Sequence, residues 1–174
     1  MQTTCDSTLK FSSIVARWQG SAHDANIFRN SKLFYRFESG EFNNYVMLGD
    51  GGYPNKNYIL TPLQNPVTPS EHLYNESQTR TRNCVERSYG VWKKRFPVLS
   101  LGTRLRFRKV QSIIVACAVL HNKCCIHNEI EVPGLQTAIG HIVDFVSSVP
   151  NNRELTNSQT NLVQKSLIKN YFYN

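Results

Sequence analysis

An α/β or α+β arrangement around one sheet is what this sequence predicts, and three observations predict it. Short β-branched and aromatic runs cluster in the first sixty residues, segments with helical apolar spacing follow them, and the apolar content suffices for a packed core. At 174 residues and 20.0 kDa the chain has room for one domain, or for one domain with a tail. Its composition is 40% hydrophobic and 11% aromatic against 18% charged, which excludes a mainly disordered chain.

The elements follow in order. Residues 2–6 and 10–18 read as two strands joined at Ser7-Thr8-Leu9, the second rich in aromatic and β-branched residues. From 24 to 38, Ile27, Phe28, Leu33, Phe34 and Phe37 recur at helical spacing and stop before Gly40. The run Tyr45-Val46-Met47-Leu48 is a short strand leading into the Gly49-Asp50-Gly51-Gly52-Tyr53-Pro54 turn, and Tyr58-Ile59-Leu60 is another. Thr68-Pro69-Ser70-Glu71 has the residues of a helix start. From 77 to 96, Val85, Tyr89, Trp92 and Phe96 form an apolar stripe, with Glu86 on the adjacent stripe beside Arg82, Gly90 and Lys93. The strongly apolar stretch 106–128 predicts a buried helix, 147–157 a polar linker, and 157–172 a last amphipathic helix. The longest uninterrupted apolar run, residues 113–120, has eight residues, against roughly 20 needed to span a bilayer. Polar Gln2, Thr3 and Thr4 after Met1 argue against a secretory leader. Cys5, Cys84, Cys117, Cys124 and Cys125 are then expected as reduced thiols of a cytosolic or nuclear protein.

The charge is concentrated. The formal total is +8, with a pI near 9.4. Between Arg80 and Lys109 stand ten bases with one acid, Glu86, a local charge of +9, while the remaining ten bases and eleven acids sum to −1. A basic segment on a near-neutral body suits a polyanion such as DNA, bound through phosphate neutralisation. A solvated helix face is the ordinary structural reading, but a lone carboxylate amid such a field is unusual for a segment that only touches phosphates.

The chain has four aspartates, and three sit in conspicuous places: Asp6 at the end of the first strand, Asp24 after the Gly20-Ser21-Ala22-His23 turn, and Asp50 at the end of a strand. Carboxylates at strand ends together with one from a neighbouring helix, Glu86, can converge on Mg²⁺, which prefers hard oxygen ligands. Two such ions about 4 Å apart clamp the attacking and leaving oxygens of a phosphoryl displacement. Each residue also has an ordinary role open to it: a helix cap for Asp24, a turn for Asp50, an i,i+4 pair with Arg82 for Glu86. Other constellations are less apt. His121, Cys124, Cys125 and His127 have no standard zinc spacing, and Ser21, His23 and Asp24 lie too near one another for a triad. The Asn75-Glu76-Ser77 sequon lacks a secretory context, and the Gly49–Gly52 turn lacks the ending of a phosphate loop.

One further pattern joins these pieces. Trp18-Gln19-Gly20-Ser21-Ala22-His23-Asp24, Leu48-Gly49-Asp50-Gly51-Gly52-Tyr53-Pro54, Thr61-Pro62-Leu63, Thr81-Arg82-Asn83-Cys84-Val85-Glu86-Arg87, Gly90-Val91-Trp92-Lys93-Lys94-Arg95-Phe96 and Ala118-Val119-Leu120-His121-Asn122 appear in that order. The set closely resembles the DDE endonuclease domain of Harbinger-type transposases and of the domesticated nuclease related to them, over about residues 6–128. The resemblance implies an RNase H-like mixed sheet flanked by helices, and metal-dependent cleavage and joining of DNA. It implies Asp24, Asp50 and Glu86 as catalytic, metal-holding carboxylates, with Mg²⁺ the cofactor and Mn²⁺ its substitute. Asp6, on the family's Cys-Asp strand end, is a lesser candidate. Arg82, Arg87, Lys93, Lys94 and Arg95 would grip the DNA backbone.

In the family the first catalytic aspartate lies upstream, on a strand resembling Gly-x-x-Asp-Gly-Thr-His-Ile, and this chain begins five residues before Asp6. The expectation is therefore a partial, N-terminally truncated core at 1–128 whose sheet lacks the family's first strand, a linker at 129–156, and a helix at 157–174 packing back on the core. The expected function is a metal-dependent DNA endonuclease of transposase descent, its catalysis weakened or lost. The alternative is a non-catalytic DNA- or protein-binding remnant. The family likeness also implies a separate Myb-like DNA-binding partner protein and a nuclear location; no membrane association is expected from so short an apolar run.

Overall fold

The computed structural model describes residues 1–18, 22–42, 45–101, 105–127 and 162–172. Among them the chain forms β1 (Gln2–Cys5), β2 (Phe11–Val15), α1 (Asp24–Arg29), α2 (Lys32–Glu38), β3 (Met47–Leu48), β4 (Ile59–Leu60), α3 (Pro69–Arg95), a 3₁₀ turn (Pro97–Leu99), α4 (Phe107–Ile126) and α5 (Leu162–Leu167), which runs on as a π-helical stretch, Ile168–Phe172. The class is mixed α and β, as the sequence predicts. The sheet is different: the described strands make two separate two-stranded sheets, β1 with β2 and β3 with β4, rather than one. The predicted linker, 129–156, and residues 157–161 and 173–174 of the predicted last segment lie outside the described residues.

Contacts divide the chain into two units. The first comprises Met1–Gln2, Arg17–Cys84 and Leu155–Asn174. In it the predicted helix 24–38 is two helices. Ser31 takes an extended conformation (φ −94°, ψ 153°), and its hydroxyl accepts a hydrogen bond from the Phe34 amide, capping α2 and ending the first helical run. The apolar spacing carries on across the break, so Ile27, Phe28 and Phe37 are all buried. β3 and β4 pair in parallel, Met47 opposite Ile59 and Leu48 opposite Leu60. The start of α3 is a full capping box: Glu71 Oε2 accepts from the Val67 and Thr68 amides, and Thr68 Oγ1 accepts from the Glu71 amide. Those two amide bonds hold the Glu71 carboxyl below its usual value. α3 then continues without a break for 27 residues and ends at Arg95, because Phe96 precedes a proline and is forced out of the helical region (φ −125°, ψ 82°).

α5 is held in the first unit by one buried side chain. Gln164, 1% exposed, donates to the Thr61 carbonyl (2.7 Å) and the Tyr74 hydroxyl (2.9 Å) and accepts from Asn55 Nδ2 (3.2 Å). The Tyr74 hydroxyl in turn donates to the Thr61 carbonyl, and its ring meets Phe172 edge-on at 6.1 Å. The polar atoms of Gln164 and Tyr74 thus have partners, which is what makes their burial tolerable.

The second unit comprises Thr3–Ala16 and Val85–Glu154. Its core is Phe11, Trp92, Cys117 and Ala118, with Ile14, Tyr89, Phe96, Ile113 and Ile114 packed against it. α4 is joined to β2 by Asn122, whose amide nitrogen donates to the Phe11 carbonyl (2.7 Å) and whose oxygen accepts from the Phe11 amide (2.7 Å). This asparagine supplies Phe11 with the donor and acceptor that a neighbouring strand would otherwise provide.

α4 departs from the buried helix the sequence predicts. Only the face with Cys117, Ala118, His121 and Cys125 is buried, while Val119 and Ile126 on the opposite face are 64% and 65% exposed. The helix is apolar around much of its circumference, but the described elements of its unit cover one side of it. By length and composition alone its 20 residues could cross a membrane. Its buried face seats β2 through Asn122 and His121.

His121 is fully buried within this unit. Its Nδ1 lies 3.2 Å from Arg95 Nη1 and its Nε2 lies 2.9 Å from the Leu9 carbonyl. A guanidinium can only donate and a carbonyl can only accept, so the imidazole is neutral with its proton on Nε2. Burial lowers its pKa below the ordinary value, the Leu9 bond opposes that shift, and the Arg95 charge adds to it. The unfolded chain therefore takes up a proton near pH 6.5 that the folded chain resists, and stability is lost as the pH falls below that point. Urea midpoints should fall between pH 7 and pH 5. In His121→Asn, less stable throughout, the same interval should be flatter; an unchanged slope would exclude His121 as its source.

Candidate active site

Asp24 is the first residue of α1, following His23, which is extended and makes no side-chain cap. Its carboxylate is exposed at the helix N-terminus, where negative charge is favoured, and it accepts no hydrogen bond from the described residues. Asp50 follows β3 and is half-buried. Its Oδ1 accepts from the Gly52 amide (2.9 Å), and its carbonyl accepts from the Tyr53 amide (3.2 Å). This is an aspartate turn, one of the ordinary roles open to Asp50, but it uses only one carboxylate oxygen. Gly52 suits it: a Cβ there would stand 3.1 Å from Asp50 Oδ1.

Two glutamines hold the Asp50 turn. Gln78 of α3, 4% exposed, donates to the Gly49 carbonyl (2.7 Å) and the Leu60 carbonyl (3.3 Å), bridging the ends of β3 and β4; its own oxygen has no hydrogen-bond partner among the described residues. Gln2 donates to the Asp24 carbonyl (2.9 Å) and to the Tyr53 hydroxyl (2.7 Å). The Tyr53 ring also meets Phe28 of α1 edge-on at 6.0 Å. The first unit thus ties the Asp24 and Asp50 segments to each other through Gln2 and Tyr53. Neither glutamine stands out in the sequence, because a polar residue in a strand or helix carries no signal of the backbone it will reach.

Glu86 lies on α3 in the second unit and is exposed, on the same helical face as Lys93. Asp6 is a turn residue. Its Oδ1 accepts from the Thr8 amide (2.9 Å), the Thr8 hydroxyl (2.6 Å) and the Lys10 amide (3.1 Å), and Oδ2 lies 3.6 Å from Lys10 Nζ. Burial alone would raise its pKa; these bonds and the Lys10 charge outweigh it, so the carboxyl sits below its ordinary value.

Of the basic residues, Arg87, Lys93 and Lys94 are exposed on α3, and Arg82 is half-buried. Arg95 is half-buried with its guanidinium against His121, so part of its donor capacity is directed inward. The zinc alternative finds no support in His121, whose two nitrogens face Arg95 and Leu9, although Cys125 Sγ is 3.5 Å from Nε2. Asp24, Asp50 and Glu86 are hard oxygen donors of the kind Mg²⁺ takes. Among the described residues, however, no group of three or more His, Cys, Asp or Glu side chains is placed to hold a metal ion. The donor chemistry fits such an ion.

The sequence model of the DDE superfamily endonuclease matches residues 1–122. Human "Putative nuclease HARBI1" is 32% identical over 122 residues, covering 68% of this chain and 35% of its own length. The protein of the same name from Rattus norvegicus is 33% identical over the same extent. "Protein ALP1-like" of Arabidopsis thaliana is 24% identical over 138 residues, covering 70% of this chain and 34% of its own. The chain therefore spans about a third of the length of these curated relatives. No solved structure matches it.

Proposed function

Because the chain belongs to the DDE superfamily endonuclease family, which its match over residues 1–122 establishes, we propose that it is a transposase-derived nuclease that cleaves or joins DNA phosphodiesters. On this reading Asp24, Asp50 and Glu86 are the catalytic carboxylates. Their cofactor is Mg²⁺, for which Mn²⁺ substitutes. Arg82, Arg87, Lys93, Lys94 and the remaining donors of Arg95 bind the phosphate backbone. The observation that carries the reading is the pair of hydrogen bonds from Gln2, which ties the Asp24 and Asp50 segments together. The two aspartates lie 26 residues apart in sequence, and such a tie is expected where both serve one site. DNA as substrate, a Myb-like DNA-binding partner and action in the nucleus come with the same reading.

A second reading, a DNA- or protein-binding remnant without catalysis, has its own support in the exposed bases Arg87, Lys93 and Lys94 of α3. Supercoiled plasmid separates the two. The nuclease reading expects nicked and linear products with Mg²⁺ or Mn²⁺ and none in EDTA, with DNA still bound in EDTA and released steeply as salt rises. Binding with no cutting under any metal would establish the remnant.

A further inference from the structure

We propose that Gln2 is a positioning residue that fixes the separation of the Asp24 and Asp50 segments, a role that rests on the nuclease reading above. A carboxamide nitrogen has two hydrogens. Gln2 directs one to a carbonyl 22 residues away and the other to a hydroxyl 51 residues away. The side chain is buried, at 8% exposed, so these bonds are shielded from competing water. At one end it holds the backbone of Asp24 itself. At the other it holds Tyr53, whose amide closes the turn on the Asp50 carbonyl and whose ring is set against Phe28 of α1. Tyr53 therefore meets the α1 segment twice, once through its ring and once through Gln2. The ring contact sets proximity; the directional pair of hydrogen bonds sets register. Gln2 touches neither carboxylate, and its effect on the reaction is exerted through where the two backbones stand.

The test uses the full chain with three substitutions. Gln2→Leu removes both donors, Gln2→Glu replaces the amide with an anion that cannot donate, and Tyr53→Phe keeps the ring and removes one acceptor. Misplacing a reacting group by about 1 Å costs on the order of 100-fold in rate. Gln2→Leu and Gln2→Glu should therefore lower kcat for DNA cleavage by about 10- to 100-fold with KM and binding in EDTA unchanged. Tyr53→Phe should show a smaller loss. Amide hydrogen exchange gives a readout independent of turnover: in Gln2→Leu, protection should fall both in residues 26–28 and in residues 51–53. A kcat within twofold of the parent, a loss in KM and binding instead, or exchange that rises in one segment only would overturn the role. If the unsubstituted chain does not cut DNA, the nuclease reading fails, and Gln2 loses its catalytic role with it. The exchange measurement then still decides whether Gln2 couples the two segments. Should Gln2→Leu fail to fold, Tyr53→Phe gives the same kcat and exchange comparison with the packed ring retained.

Discussion

Glu86→Gln is expected to slow DNA cleavage by at least about 100-fold, a barrier increase of about 3 kcal/mol, while salt-sensitive DNA binding in EDTA is retained. The substitution keeps the shape of the side chain and removes the negative charge that the proposed site requires of it. Glu86 is exposed on α3, where substitutions ordinarily change stability by no more than about 0.5 kcal/mol. A loss of cutting in this variant would therefore be a loss of chemistry, and circular dichroism melting provides the control. Its basic neighbours Arg87, Lys93 and Lys94 predict the complementary behaviour: neutralising them should weaken binding and flatten its salt dependence. Cleavage by Glu86→Gln at the parent rate would remove Glu86 from the site and leave the helix as a DNA-binding element only.

The second large effect is on stability. Trp92→Ala should destabilise the second unit by about 3–5 kcal/mol, read as a fall in the urea midpoint followed by circular dichroism. Trp92 is 1% exposed and meets Phe11 at 4.9 Å and 66° in an edge-on arrangement, with Tyr89 at 6.1 Å. Its indole nitrogen is buried without a hydrogen-bond partner among the described residues, so replacing the ring with another aromatic loses packing but none of the described bonds. Trp92→Phe should accordingly cost well under half as much. Equal losses in the two variants would mean that the cavity is not what destabilises the alanine form.

The parts of this fold that could be read from sequence are those fixed by local chemistry. Thr68-Pro69-Ser70-Glu71 announces the start of α3 because the capping box is satisfied by residues three apart, and the structure forms each of its bonds. The Asp50 turn is legible for the same reason. The remaining elements depend on polar caps or on neighbours that apolar spacing does not encode. Apolar spacing runs unbroken from Ile27 to Phe37, and only the Ser31 hydroxyl turning back to Phe34 splits the segment into α1 and α2; Ser31 was the available signal. The exposure of Val119 and Ile126 could not be read from an apolar sequence that fixes a helix but not how much of its circumference other elements cover. Likewise β1–β2 and β3–β4 are separate pairs, a matter of which backbone finds which neighbour. At the candidate site, the carboxylates themselves were legible as residue types in ordered motifs. The glutamines that hold their backbones were not, since Gln2 acts across 22 and 51 residues.

Leu9 closes the turn after β1 in a left-handed conformation, φ 67°, that glycine or asparagine adopts far more readily. Its side chain is nonetheless buried at 6% exposed, and its carbonyl is the one His121 grips from α4. The local conformational cost of about 1 kcal/mol is offset first by the turn's own bonds, Asp6 Oδ1 accepting from the Thr8 and Lys10 amides, and then by His121, 112 residues along the chain. The bend is thus specified within residues 6–10, and α4 fastens a turn whose own bonds already shape it.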